Sequence, residues 1–211
     1  MPSERSGPIA GIVLAAGAST RLGRNKLFVE LDGEPLIRRA VRRAIEAGLA
    51  PVFVVLGHDA DRARAALAGL ACAAREPIVN EDYLRGVNSS VRAGISAAGA
   101  ASAAVVILAD MPLVTSAMIA TLADRYRAGD APLVVSDYGG VNAPPMLYDR
   151  SLFGELASME GEGCGKQVVK RHRGEAVVVS WPETALADLD VPDDYERVKA
   201  LAGAEAADHA R

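Results

Sequence analysis

Aromatic residues are scarce in this chain. One tryptophan, five tyrosines and three phenylalanines make up 4% of 211 residues. Alanine, valine and leucine must therefore fill the core. Cysteine is nearly absent. Cys72 and Cys164 stand far apart and form no C-x-x-C, so neither a disulfide framework nor a zinc site is readable. No apolar run reaches the roughly 18 residues that a membrane span needs. The opening "MPSERSGP" lacks the apolar stretch of a signal peptide. A reducing, cytoplasmic setting is the expectation. An excess of positive charge is missing too. The formal net charge is -4, which argues against nucleic acid or a membrane surface as partner but leaves room for a local basic pocket.

What remains is a chain that is 50% apolar, long enough for one domain with a sizeable core. A single domain is expected over residues 1–203, with a frayed tail over 204–211. Short apolar runs punctuated by glycine and proline read as buried strands: Pro8–Leu14, Pro51–Gly57, Ala103–Asp110, Pro132–Asp137, "PPMLYD" and "EAVVVSW". Between them lie helical patterns at Leu36–Gly48, Asp59–Leu70, "GVNSSVRAGISAA", Thr115–Ala128, Ser151–Ser158 and "VPDDYERVKALAG". Ser89 or Ser90 is the expected cap of the third. Strands alternating with helices predict a parallel or mixed sheet covered on both faces.

In such sheets ligands bind at the carboxyl ends of the strands, and two strand ends here carry unusual chemistry. In "IVLAAGASTRLGRNK" an apolar run stops at Ala15-Ala16-Gly17 and a small, hydroxylated, cationic stretch follows. Gly17, Ser19 and Gly23 permit tight backbone whose amides can face an anion. Arg21 and Lys26 add a planar fork and a point charge suited to phosphate oxygens. Taken alone, the stretch is equally an ordinary surface loop. It is neither G-x-G-x-x-G nor the P-loop, since Lys26 comes three residues after Gly23. In "VVILADMP", Asp110 follows an apolar strand, where it either caps a turn or binds Mg²⁺ beside substrate phosphates. Asp188 and Asp190 in "LADLDVPDDY" either supply first-turn acids to a helix or a second carboxylate site. Each bland reading is the better one singly. Together a cationic loop and two carboxylate sites fit a metal–nucleotide site.

These residues resemble a known family. "LAAGASTRLGRNK" looks like the LAAGxSxRxGxxK signature of the MobA-like nucleotidyltransferases. "LADMP" resembles that family's metal-binding LAD-x-P, and "DLDVPDDY" its DIDTPEDY. "NEDYLRGVNSSVRAGI" is similar to its N-x5-G-x2-S-S-x3-G segment. Ala15-Ala16-Gly17 resembles the molybdenum cofactor cytidylyltransferase branch, since the guanylyltransferase branch usually has a second glycine at the second alanine. The resemblance implies a Rossmann-like three-layer α/β/α sandwich with a mixed, mostly parallel sheet. It implies transfer of a nucleoside monophosphate, from CTP in preference to GTP, to a phosphate on a small acceptor such as molybdopterin cofactor, with release of pyrophosphate. Leu14, Ala15, Ala16, Gly17, Ser19, Arg21, Lys26, Ser89, Ser90 and Asp110 would bind the nucleotide. Arg21, Lys26 and Asp110 would act in catalysis, and Asp110 and Asp190 would hold Mg²⁺. Ser89 and Ser90 are equally explained as helix caps. The acceptor side would fall on Asn142, Pro144 and Lys166. There "GGVNAPPML" lacks the arginine of the family's Arg-Gly-x-Pro, which favours another phosphorylated acceptor, such as a sugar phosphate or other cofactor precursor. A third possibility is a non-catalytic cofactor carrier serving a molybdoenzyme target, against which the paired carboxylates argue.

Overall fold

A computed structural model describes residues 4–17, 25–70, 77–163 and 165–187. Arg21, Ser19, Gly23, Asp188 and Asp190, both cysteines, and the expected closing helix and tail lie outside the described residues.

Strand β1 (Ile9–Ala15) is buried at every position. It lies parallel to both β4 (Val52–Leu56) and β6 (Ala103–Leu108), with Gly11 opposite Val52 and Val105. A short β5 (Ile78–Val79) extends the parallel run beyond β4. On the other side β8 (Val141–Asp149) pairs antiparallel with β6 and with β7 (Leu133–Tyr138), and β9 (Ala176–Trp181) closes the edge parallel to β7. The sheet order is β5-β4-β1-β6-β8-β7-β9. A separate two-stranded hairpin, β2 (Glu30–Leu31) with β3 (Glu34–Pro35), turns through Asp32 and Gly33. Both turn residues have positive φ, the geometry that an Asp-Gly pair supplies at least cost.

Alternation along the strands divides the core. Ile9, Val13 and Ala15 point to the face covered by α1 (Leu36–Glu46), α2 (Ala60–Leu67) and α4 (Ser116–Ala128). Ala10, Ile12 and Leu14 point to the face covered by α3 (Val87–Ala97), α5 (Phe153–Ser158) and α6 (Lys166–Arg171). The result is the expected three-layer sandwich. One contact sets how closely α3 lies on the sheet. Gly94 of α3 lies so close to Ile12 that a Cβ there would collide with the isoleucine side chain. Thr115 caps α4 by accepting from the Met118 amide at 3.1 Å.

Several boundaries differ from the sequence reading. The third helix is capped by Gly86, not by Ser89 or Ser90, which sit inside its first turns. Gly86 has φ 105°, and a Cβ on it would strike the Gly161 carbonyl, so only glycine lets the helix start there. The second helix is shorter than expected, Ala60–Leu67. The run before α5 is a 3-10 turn, Arg150–Leu152. β8 is longer than "PPMLYD". Its prolines cannot donate to a ladder, and the register with β7 shifts between Val135 and Asp137. The Ser136 and Tyr138 hydroxyls donate to the carbonyls of Pro145 and Pro144, at 2.6 and 3.0 Å. The Trp181 indole then donates to Ser136 at 2.9 Å. Among the described residues no helix is long and apolar enough to cross a membrane.

Candidate active site

At the carboxyl edge of β1 and β6 the sheet opens into a cleft of about 360 Å³. Its floor is the end of β1, Leu14–Gly17, beside Leu108 and Asp110. One wall carries Lys26 and Leu27, and the other carries Tyr83, Leu84, Gly86, Val87 and Ser90. The parallel pairing of β1 with β6 is what brings the two ends together, since Leu14 is opposite Leu108.

Lys26 opens a 3-10 turn (Lys26–Phe28) capped by Asn25, whose Oδ1 accepts from the Leu27 amide at 3.2 Å. The Asn25 amide in turn donates to Asp59 at 3.3 Å, and Arg62 stacks over Phe28 at 4.1 Å. The entry of α2 thus holds the turn from which Lys26 projects. Lys26 Nζ meets Asp110 Oδ2 at 2.8 Å, with side chains 14% and 27% exposed. Among the described residues, the charged side chains lining the cleft are these two and Glu162.

Behind the second wall lies a polar network that joins Ser89 and Ser90 to Asn80, a residue to which the sequence analysis assigns no role. Asn80 is buried and donates to Ser89 Oγ and Ser90 Oγ at 2.8 and 3.0 Å. Its own Oδ1 accepts from the Asp82 amide, and Ser89 Oγ donates to the Asp82 and Gly86 carbonyls. Ser90 faces the cleft, whereas Ser89 is committed to the loop beneath it. The burial of Asn80 and its serine partners are visible only in the fold, and its place in the chain carries no signal of them.

Of the expected residues, the structure gathers Leu14, Ala15, Ala16, Gly17, Lys26, Ser90 and Asp110 around one cavity. It does not bring Asn142, Pro144 or Lys166 to that cavity. Asn142 donates to Asp137 at 3.2 Å, Pro144 is bound by Tyr138, and Lys166 stands exposed at the start of α6. Asp110 lies beside the cleft with room for a cation and phosphate oxygens. One or two carboxylates plus phosphates suffice for Mg²⁺. No cluster of three acidic, histidine or cysteine side chains occurs among the described residues.

In an open α/β sheet ligands bind at the carboxyl ends of the strands, and the cleft with its lysine–carboxylate pair lies there. Residues 11–177 match the MobA-like NTP transferase domain. The chain belongs to that family. Nicotine blue oxidoreductase from Paenarthrobacter nicotinovorans is 31% identical over 176 residues, 78% of this chain and 82% of the relative. A probable molybdenum cofactor guanylyltransferase from Opitutus terrae is 35% identical over 134 residues, 63% of this chain and 62% of the relative. The chain spans about a quarter of the GlmU proteins it also matches, 27% of that from Anaeromyxobacter dehalogenans, at 38% identity over 61% of this chain. Among solved structures, Rv0371c of Mycobacterium tuberculosis in complex with manganese superposes with a TM-score of 0.75 at 27% identity, covering 92% of this chain and 98% of that one.

Proposed function

We propose that this protein transfers a nucleoside monophosphate from a nucleoside triphosphate to a phosphate on a small acceptor, releasing pyrophosphate, in the cytoplasm. The observation that carries the reading is the Lys26–Asp110 pair, 2.8 Å apart at the mouth of a cleft floored by Leu14–Gly17. A reaction between two phosphates needs positioning and charge neutralisation more than covalent help from the protein. The strand therefore ends at Ala15-Ala16-Gly17 so that backbone without bulky side chains can lie against the triphosphate. Lys26 neutralises charge on the α-phosphate and on the departing pyrophosphate, and Arg21 is assigned the same role. Asp110 and Asp190 would hold Mg²⁺, which would supply Lewis-acid stabilisation of the phosphates. The manganese complex of Rv0371c supports a divalent ion in this fold. Ser90 lines the nucleotide side of the cleft.

CTP is the favoured donor because Ala16 stands where the guanylyl branch usually has glycine. The guanylyltransferase among the relatives keeps GTP as the alternative. The acceptor side supports a phosphorylated cofactor precursor other than molybdopterin. Val141-Asn142-Ala143 offers no guanidinium, and Asn142 is already bonded to Asp137. A relative named an oxidoreductase suggests redox chemistry instead, but a lysine–carboxylate pair suits phosphate better than hydride.

A thermal-shift panel of CTP, GTP, ATP and UTP, each with and without Mg²⁺, tests the reading. A ligand that binds only the folded state at a hundredfold excess over its Kd stabilises by about 2.7 kcal/mol. The expected result is a Mg²⁺-dependent shift with CTP, reduced in Asp110→Asn. No shift with any nucleotide would sink the proposal.

A further inference from the structure

The second wall of the cleft is completed by a segment remote in sequence. Residues 160–162 and Gly165 are stapled to the first turn of α3 through Asn88, which is 1% exposed. Its side-chain amide donates to the Glu160 and Glu162 carbonyls at 2.9 and 3.1 Å, and its Oδ1 accepts from the Gly165 amide at 3.3 Å. The Asn88 backbone amide adds a bond to the Gly161 carbonyl at 3.2 Å. Positive φ at Gly161, Gly163 and Gly165 lets the chain curl tightly enough to be held this way. The staple delivers one side chain to the cleft, Glu162. Among the described residues the sole hydrogen-bond partner of its carboxylate is the Val87 amide, at a long 3.5 Å. Glu162 is exposed, so its carboxylate is open to a ligand entering the cleft.

Lys26 and Asp110 belong to the strand ends and the first wall, whereas Glu162 reaches the cleft beside Gly86 and Val87 at the start of α3. A nucleoside triphosphate with its phosphates at Lys26 turns its base toward that second wall. Leu84 and Val87 offer apolar contact to a flat ring, and the one ionised group there is a pure acceptor. We propose that Glu162 reads the base, accepting hydrogen bonds from an amino-bearing edge: N4 of cytosine, or N1 and N2 of guanine. Uracil places a carbonyl oxygen where cytosine has its amine, and two acceptors facing each other repel. The inference rests on the nucleotidyl-transfer reading above and supplies the specificity that reading leaves open.

The test is a binding titration of the full chain, wild type and Glu162→Gln, with CTP, GTP, ATP, ITP and UTP in Mg²⁺. A hydrogen bond to a charged group is worth about tenfold or more in affinity. Wild type should favour an amino-bearing base over UTP by about that factor. E162Q should lose about tenfold for that base while keeping or gaining affinity for UTP, because a glutamine amide can donate to the uracil carbonyl. A merely structural role cannot invert the order of bases. Loss on replacing GTP by ITP, which lacks the 2-amino group, assigns guanine, and a response confined to CTP assigns cytosine. A wild type that binds UTP as tightly as the rest, or an E162Q that moves all nucleotides equally or none, overturns the proposal while leaving nucleotidyl transfer standing. A wild type that binds no nucleotide overturns both.

Discussion

The two halves of the sheet differ in what they give the cleft. The half built from β5, β4, β1 and β6 is parallel throughout, so every strand ends at the same edge and its loops converge there. That half supplies the whole floor, both ends of the Lys26–Asp110 pair and the Ser90 wall. In the other half β8 runs antiparallel to both neighbours, so its own carboxyl end points away, and among the described residues that half sends only Glu162 to the cleft. Parallel strands concentrate chemistry at one edge, and antiparallel pairing spends its ends on closing the fold.

The sharpest way to break that comparison is at the pair itself. Lys26→Ala and Asp110→Asn should each cut turnover on the order of a hundredfold to a thousandfold, the scale for losing a fixed electrostatic partner of the transition state. By contrast Asn142→Ala and Lys166→Ala should leave nucleotide affinity unchanged, and a large loss in either would put β8 or the start of α6 at the nucleotide.

Packing between the layers comes next. Gly94→Ala forces α3 away from Ile12, and overpacking of this kind costs about 1–3 kcal/mol, read as a lower urea midpoint. Gly165→Ala meets the Tyr148 hydroxyl and must also hold φ 84°, so it should be at least as damaging. Asn88→Ala strands the carbonyls and amide of the 160–165 segment. Leaving buried polar groups unpaired costs about 1–3 kcal/mol, and the base preference expected of Glu162 should weaken with it.

The smallest effects are in pH dependence, and both lie in the antiparallel half. Burial alone would raise the Asp149 carboxyl. The Tyr126 hydroxyl at 2.6 Å, the Ser151 amide and nearby Arg5 outweigh it and hold the group below its ordinary value. A lowered carboxyl stabilises the fold above its unfolded value of about 4 and loses that contribution as pH falls through the folded value. The stability difference between wild type and Tyr126→Phe should therefore shrink on acidification below pH about 4. His172 is shifted the other way, chiefly by its bond to Glu155 at 2.8 Å. Its contribution is complete below the ordinary imidazole value and fades as pH rises through the raised one. His172→Gln should remove a small stability slope just above pH 6.5, while leaving the acid limb of Asp149 intact.

Much of the fold was legible because burial on both faces leaves a strong trace. "GIVLA", "VFVVL" and "AAVVIL" are uninterrupted apolar runs, and no other environment requires them. The short elements were not legible. Two-residue strands such as β2, β3 and β5 have no periodicity to detect, and Asp32-Gly33 only reveals its turn once the hairpin is seen. The start of α3 was misplaced because serine is a good cap in general, whereas here the neighbouring 160–165 segment excludes any side chain at Gly86. Lys26 and Asp110 were readable as candidates from their place after apolar runs. Asn80 acquires its role from serines nine and ten residues on, and Asn88 and Glu162 acquire theirs only from partners 72 to 77 residues away.

By itself the sequence determined the layers, the ends of the strands and the residue types placed there, because hydrophobic alternation and a polar break are local properties. Only the tertiary structure decided that Lys26 would meet Asp110 across 84 residues of chain, that Ser90 rather than Ser89 would face the cleft, and that a glycine-rich loop would carry Glu162 to the same cleft. Those choices depend on strand order and on buried hydrogen bonds between distant segments, and neither leaves a periodic mark on the chain.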